Sequence, residues 1–264
     1  MTFWDHLDAL RGVLLRIAAV VIGAAVASFI AMPRIFDSVV MAPCRSDFPF
    51  YRLLDAITRV SPVGLDVSGP FDLHLISTQL ASQFYMHISA SCWMAAVLSF
   101  PVIIYLLWGF VSPGLYDREK RGARKAFVAG NVMFYAGVLT GYFLVFPLAL
   151  RFLATYTLSD TITPMITLES YMDNFFTLIL LMGAVFELPL VAWLLGKAGL
   201  LTRAFFSRYR RHAIVALLIV AGLITPTGDP FTLFAVFIPI YALWELGARL
   251  VPQASPSVPA PSNP

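Results

Sequence analysis

Charge is what this chain has least of: acidic and basic residues make up 12% of its 264 residues, about half of the roughly 25% usual in soluble domains. Hydrophobic residues reach 59%, and a water-soluble fold of this length cannot hide that much apolar surface. A soluble enzyme or binding domain is thereby excluded, and a bilayer is left as the solvent, with enough apolar residues for about six spans of ~20 residues. Cysteine is nearly absent. Cys44 and Cys92 lie far apart with no ligand spacing, so neither a disulfide framework nor a zinc site is indicated and no cofactor is expected. Catalytic signatures are missing as well: there is no G-x-S-x-G elbow, no H-E-x-x-H and no phosphate-binding loop, and the four histidines are scattered along the chain. The sequence therefore does not read as an enzyme. The net charge of +3 carries no nucleic-acid signal, because in a membrane protein cations are placed by topology first.

What is there is a series of apolar runs. Residues 1–16 put Phe3, Leu7, Leu10 and Leu14 on one helical face and read as an amphipathic foot on the membrane surface. Spans follow at about 17–32, 91–111, 126–153, 171–195, 213–224 and 230–248. The half-polar stretch 75–90, with Ser77, Thr78, Gln79, Ser82, Gln83 and His87, is assigned outside the hydrocarbon, and Pro101 is expected to kink the span that follows it. The fifth span has only 12 clearly apolar residues, ~18 Å of helix against a hydrocarbon core of ~30 Å. Residues 251–264 form a Pro/Ser tail with nothing to bury and read as disordered. The expectation is one all-α, six-span integral membrane domain over 1–250, with short fifth and sixth spans.

Charge placement tests that count. Of the 18 Lys and Arg residues, thirteen fall in the foot, in the loops after the second and fourth spans, and at Arg249. Only Arg34, Arg45, Arg52, Arg59 and Arg151 fall on the other side, where most of the acids lie. The positive-inside rule then makes both termini cytoplasmic and the number of spans even.

Two carboxylate sites stand out against this background. Glu187 sits deep in the fourth span, within LLMGAVFELPLV, with Pro189 two residues on. An acid there costs on the order of 2.5–3.5 kcal/mol on insertion scales. It reads either as a structural group between helices, protonated or hydrogen-bonded, or as a polar patch in a groove that meets a partner or substrate. The loop SPGLYDREKRGARK sets Asp117 and Glu119 among five cations, and a carboxylate held at the membrane surface is suited to pair with a guanidinium. Asp5 and Asp8 of the foot lie at the same depth. An ion-coupled transporter or channel built on Glu187 is the competing reading. It calls for a midplane site and inverted repeats, and residues 1–130 and 131–264 show no repeat.

The motifs occur in an ordered set: FWDHLDALR, WGFVSPGLYDREKR, YFLVFPLALRFL, SYMDNFF with FELPLV, and TPTGDPFT with YALWE. Over about residues 3–249 the chain resembles the TatC family, the six-span core of the twin-arginine protein translocase. The resemblance implies a fold with a concave groove in the inner membrane of a bacterium or archaeon. It also implies a subunit that binds twin-arginine signal peptides of folded proteins at the cytoplasmic face, self-associates, works with single-span TatA and TatB proteins, and draws on the proton gradient. By position it makes Glu119 the carboxylate for the signal's arginines, Phe110 and Pro113 the loop-shaping residues, and Arg11 the close of the foot motif. Glu187 with Pro189, and Asp229, become the groove and partner contacts. The family foot reads H-L-x-E-L-R, whereas here Ala9 stands in place of the second arginine-pairing glutamate, leaving Asp5 or Asp8 as its substitute.

A fifth span this short should thin the bilayer beside it. Bilayer thickness mapped around the reconstituted protein is expected to dip next to residues 213–224, and a uniform thickness would oppose that reading.

Overall fold

The computed structural model of the chain describes residues 3–60, 73–112, 117–156, 158–159, 165–197, 199–225 and 229–251. Among these the structure is helical: α1 (Phe3–Ile35), α2 (Pro49–Val60), α3 (Ser82–Val111), α4 (Asp117–Thr140), α5 (Phe146–Thr155), α6 (Leu168–Val185), α7 (Leu188–Lys197), α8 (Arg203–Ile224) and α9 (Pro230–Leu250). By contact density the chain forms two compact units, Met1–Gly183 and Ala184–Pro264. Among the described residues five stretches are long and apolar enough to cross a membrane: Leu7–Asp55, Ser82–Phe110, Arg124–Thr155, Leu168–Lys197 and Thr232–Leu250. The helix α8 has an apolar second half only, because Arg203, Arg208, Arg210 and Arg211 occupy its first turns.

The helices run on past the edges of the apolar segments, since backbone hydrogen bonding does not stop where lipid does. The amphipathic foot and the first apolar run form the single 33-residue helix α1. The half-polar stretch before the second apolar run joins it from Ser82 in α3, 30 residues long and thus ~45 Å. The third run is divided by a π-helical turn at Gly141–Val145 into α4 and α5. The fourth is divided at Phe186 and Glu187 into α6 and α7. Residues 252–264, read above as a disordered tail, lie outside the described residues, whereas Val251 is buried at the end of α9.

Prolines dictate the cross-links of the first unit. In a helix the amide of residue i bonds the carbonyl of residue i−4, so a proline leaves that carbonyl without its donor. Lipid offers no water to replace it. Pro33 orphans the Phe29 carbonyl, and His87 Nε2 of α3 lies 2.9 Å from it with the two rings stacked at 4.0 Å. The Val39 carbonyl, in the π-helical turn just before a 3-10 turn, likewise takes a side-chain donor, accepting from the Tyr142 hydroxyl at 2.9 Å. Pro101 orphans the Val97 carbonyl, which accepts from the Tyr135 hydroxyl of α4 at 3.0 Å. In each case the missing bond is made by a side chain from a different helix, so each break also joins two elements.

The same logic holds the segment between α1 and α2. Its backbone passes from a π-helical turn, Phe36–Val40, into a short 3-10 turn, Ala42–Cys44. Carbonyls there point away from any ladder. Tyr171 of α6 donates to the Val40 carbonyl, and Tyr51 of α2 donates to the Pro43 carbonyl at 2.8 Å. Both tyrosines are almost fully buried, where a phenol without a partner would cost about 1–3 kcal/mol. Beneath them Phe146, Tyr171 and Phe175 stack edge-on with centroids 5.0–5.3 Å apart or near face-on. The stretches leading into α3 and α6 meet through Ile76 N to Ile166 O and Leu168 N to Ile76 O, and Ser82 donates to the Glu169 carboxylate. Where α6 passes the π-helical turn, Gly141 lies so close that a Cβ would fall 2.9 Å from Ile179 Cα.

In the second unit α9 packs on both α7 and α8. Gly247 brings α9 to α7, with a Cβ there 3.3 Å from Ala192 Cβ and 3.6 Å from Pro189 Cα. Arg203 at the start of α8 bonds the Ala248 and Arg249 carbonyls at the end of α9, satisfying helix-end acceptors. Arg210 bonds Glu245 at 2.8 Å, and Phe206 packs on Trp244.

The Tyr135 hydroxyl should contribute about 1 kcal/mol through the Val97 carbonyl. Reversible unfolding in detergent micelles is expected to show that loss for Tyr135→Phe in the native background. In the Pro101→Ala background the loss should nearly vanish, because the restored amide bonds the same carbonyl. Equal losses in both backgrounds would contradict the capping role.

Candidate functional site

The first unit carries two acidic sites on paired helices. Asp8, Ala9 and Arg11 are exposed in the first turns of α1, and Asp8 and Arg11 form no ion pair among the described residues. Asp5 lies one turn before Ala9 on the same helix, with its side chain outside the described residues. The sequence after the second apolar run, read above as a loop, enters helix α4 at Asp117. Its charged residues Arg118, Glu119, Lys120 and Arg121 are helix formers, and Asp117 and Glu119 fall in the first turn, where the positive end of the helix dipole favours anions. The Glu119 side chain and the whole of Pro113 lie outside the described residues.

What holds that helix start in place is the packing of α3 against α4. Trp108 meets Phe127 edge-on at 5.0 Å, Phe100 stacks on Phe134 at 3.6 Å, and Tyr135 bonds the Val97 carbonyl. Phe110 is half-buried two residues beyond Trp108. These rings fix the register of the two helices whose connection carries the candidate signal-reading residues. Sequence reasoning did not single them out. The pattern that finds Tyr135 is an aromatic hydroxyl on one helix opposite the residue four before a proline on the other.

In the second unit Glu187 occupies the break itself. The α6 helix ends at Val185 and α7 begins at Leu188, with the Glu187 amide bonding the Ala184 carbonyl three residues back. Pro189 is buried and cannot donate to the Val185 carbonyl. Unlike the breaks at Pro33 and Pro101, no side chain from another helix bonds that carbonyl among the described residues. Glu187 is half-buried, and its Oε1 is buried with no hydrogen-bond partner. Of the two structural options for this acid, the one requiring a hydrogen bond to Oε1 finds no partner among the described residues.

Asp229 has a local task. It is the N-cap of α9, with Oδ1 accepting from the Thr232 amide at 2.7 Å, followed by Pro230 at the first helical position. Glu187 and Asp229 are not brought together. Pro189 and Ala192 lie beside Gly247 near one end of α9, and Asp229 caps the other end, roughly 25 Å away along the helix axis.

The fold and these sites define a class: a polytopic helical membrane protein with acids in the first turns of α1 and α4, Asp8 among them exposed, and a carboxylate oxygen at a helix break that has no partner among the described residues. The profile of the family described as Sec-independent protein translocase protein (TatC) matches residues 5–239. A Sec-independent protein translocase protein TatC of Blattabacterium sp. subsp. Periplaneta americana is 31% identical over 247 residues, 93% of this chain and 92% of that one. The one from Desulforapulum autotrophicum is 33% identical over 94% of this chain and 84% of that one. The Deinococcus radiodurans protein is 35% identical over 67% of this chain and 66% of that one, so there the match spans about two thirds of the relative. Two crystal structures of the twin-arginine translocase receptor TatC superpose with TM-scores of 0.70 and 0.73. They are 26% and 25% identical, and they cover 93% and 94% of this chain and 97% and 99% of theirs. The chain belongs to the TatC family of Sec-independent protein translocase proteins.

Proposed function

We propose that the chain is the receptor subunit of a twin-arginine translocase. It sits in the inner membrane of a bacterium or archaeon, with both termini cytoplasmic. It binds the paired arginines of a signal peptide on a folded cargo, and it nucleates an export complex driven by the proton gradient. The observation that carries this reading is the family match over residues 5–239, together with an acid set in the first turn of cation-rich α4. Glu119 receives one guanidinium of the pair, and Asp5 or Asp8 receives the other in place of the missing glutamate at Ala9. Arg11, Phe110 and Pro113 shape the surface around them. Glu187 and Pro189 mark where an apolar helix of the signal or of a TatA- or TatB-type partner meets the chain, and Asp229 does so at the opposite surface. Self-association of several copies completes the complex.

The chemistry favours arginine over lysine at Glu119, because a guanidinium forms two parallel bonds to a carboxylate where an ammonium is a point charge. An ion-coupled transporter remains the alternative, and the unpartnered Oε1 of Glu187 at a helix break supports it. The lack of internal repeats weighs against it.

A photo-crosslinking twin-arginine peptide added to inverted membranes should label the start of α4 in the native protein. Glu119→Ala should reduce labelling about tenfold, the scale of one charge-assisted hydrogen bond, and a twin-lysine peptide should label weakly in both. Equal labelling by the two peptides, unchanged in Glu119→Ala, would remove the proposed pairing.

A further inference from the structure

A second site lies at the other end of α1 and α3 from the signal-reading residues, and it belongs wholly to the first unit. A cavity of about 480 Å³ opens there, lined by Met32, Pro33, Phe36 and Asp37 of the α1 end, Gln83, Met86 and His87 of α3, and Ser77 and Leu168 beside them. Its floor is apolar and close-packed: Met32 and Met86 are both buried. Its polar groups include several acceptors, the Asp37 carboxylate and the Gln83 side-chain carbonyl among them, beside the donor amide of Gln83. Asp37 is the one carboxylate in the lining, it has no ion-pair partner among the described residues, and no Lys or Arg lines the cavity with it.

The histidine adds to this through the proline geometry already described. The Phe29 carbonyl, orphaned by Pro33, can only accept, so His87 Nε2 carries the hydrogen of that bond. In the neutral ring Nδ1 is then an acceptor. The Ser77 hydroxyl gives its hydrogen to the Gln79 carbonyl, which leaves its lone pairs. A lining of this kind calls for a ligand that brings several N–H donors and a positive charge. A primary ammonium, with three donors on one compact cation, meets that need, and a trimethylated ammonium brings the charge without any N–H donor.

The position of the cavity says where such a group comes from. The apolar run of α1 ends at Pro33, so Asp37 stands just past the hydrocarbon. Ile30 of α1 and Phe84, Tyr85 and Ile88 of α3 are exposed on the helix ends that form the cavity, as in the aromatic belts that mark a membrane interface. Arg34, exposed three residues before Asp37, puts a cation on the same end of α1. We infer that this cavity holds the headgroup of an aminophospholipid, the ammonium at Asp37 and His87 and the upper acyl chain against Met32, Met86 and Phe36.

The test uses the full chain in nanodiscs with equal amounts of phosphatidylethanolamine and phosphatidylcholine, and counts lipids retained after mild detergent extraction by native mass spectrometry. The native protein should retain the ethanolamine lipid about tenfold over the choline lipid, and Asp37→Asn should bring the ratio close to one. A second series needs no variant: mono-, di- and trimethylated ethanolamine lipids should be retained progressively less as N–H donors are removed. A native ratio near one, a flat methylation series, or a ratio unchanged by Asp37→Asn in folded protein would each overturn the inference.

Discussion

A main-chain carbonyl inside a bilayer has no water to turn to, and in the first unit Pro33, the irregular turn at Val39 and Pro101 each leave a carbonyl without its α-helical donor. Each is answered from a different helix, by His87, Tyr142 or Tyr135. A break that would weaken a lone helix thereby becomes a fixed point between two. The first joins α1 to α3, and the third joins α3 to α4. The second holds the irregular segment after α1 against the π-helical turn at Gly141–Val145, with Tyr171 and Tyr51 securing the next carbonyls along it. Each bond is worth only about 1 kcal/mol. Their larger effect is on register, because a hydroxyl or ring nitrogen reaches one carbonyl and not its neighbours.

Both sites in the first unit inherit that register. The α3–α4 pairing that Tyr135 pins also carries the Trp108–Phe127 contact and leads to the helix start holding Glu119. The α1–α3 pairing that His87 pins encloses the cavity with Asp37 at its rim. The break at Glu187 departs from the pattern: the Val185 carbonyl and Glu187 Oε1 both lack a capping side chain among the described residues. The breaks at Pro33 and Pro101 take a side-chain donor, whereas the acceptors at Glu187 are left for a donor from elsewhere, which agrees with the proposed partner contact there.

Much of this was legible in the sequence for simple reasons. Apolar runs give the spans because lipid selects for them, and Pro189 beside Glu187 announced a disturbed helix. Boundaries were less legible, since α1, α3, α4 and α8 all continue as helix through polar residues that composition alone assigns to surface segments. At Asp229 the residue pattern carried a local meaning, an N-cap before a proline, that a family resemblance passes over. The caps themselves were hidden. A helix-interior proline names the carbonyl four residues before it, but the donor lies 38 or 58 residues away. Only the packing of whole helices decides which tyrosine or histidine arrives there.

The most direct test of this account is isotope-edited infrared spectroscopy of the folded protein in lipid, with a heavy-isotope carbonyl label at Val97. The account predicts the low amide frequency of a hydrogen-bonded carbonyl in the native protein, and a shift to the higher frequency of a free carbonyl in Tyr135→Phe. A frequency that is already that of a free carbonyl in the native protein, or one that does not move when the hydroxyl is removed, would contradict it.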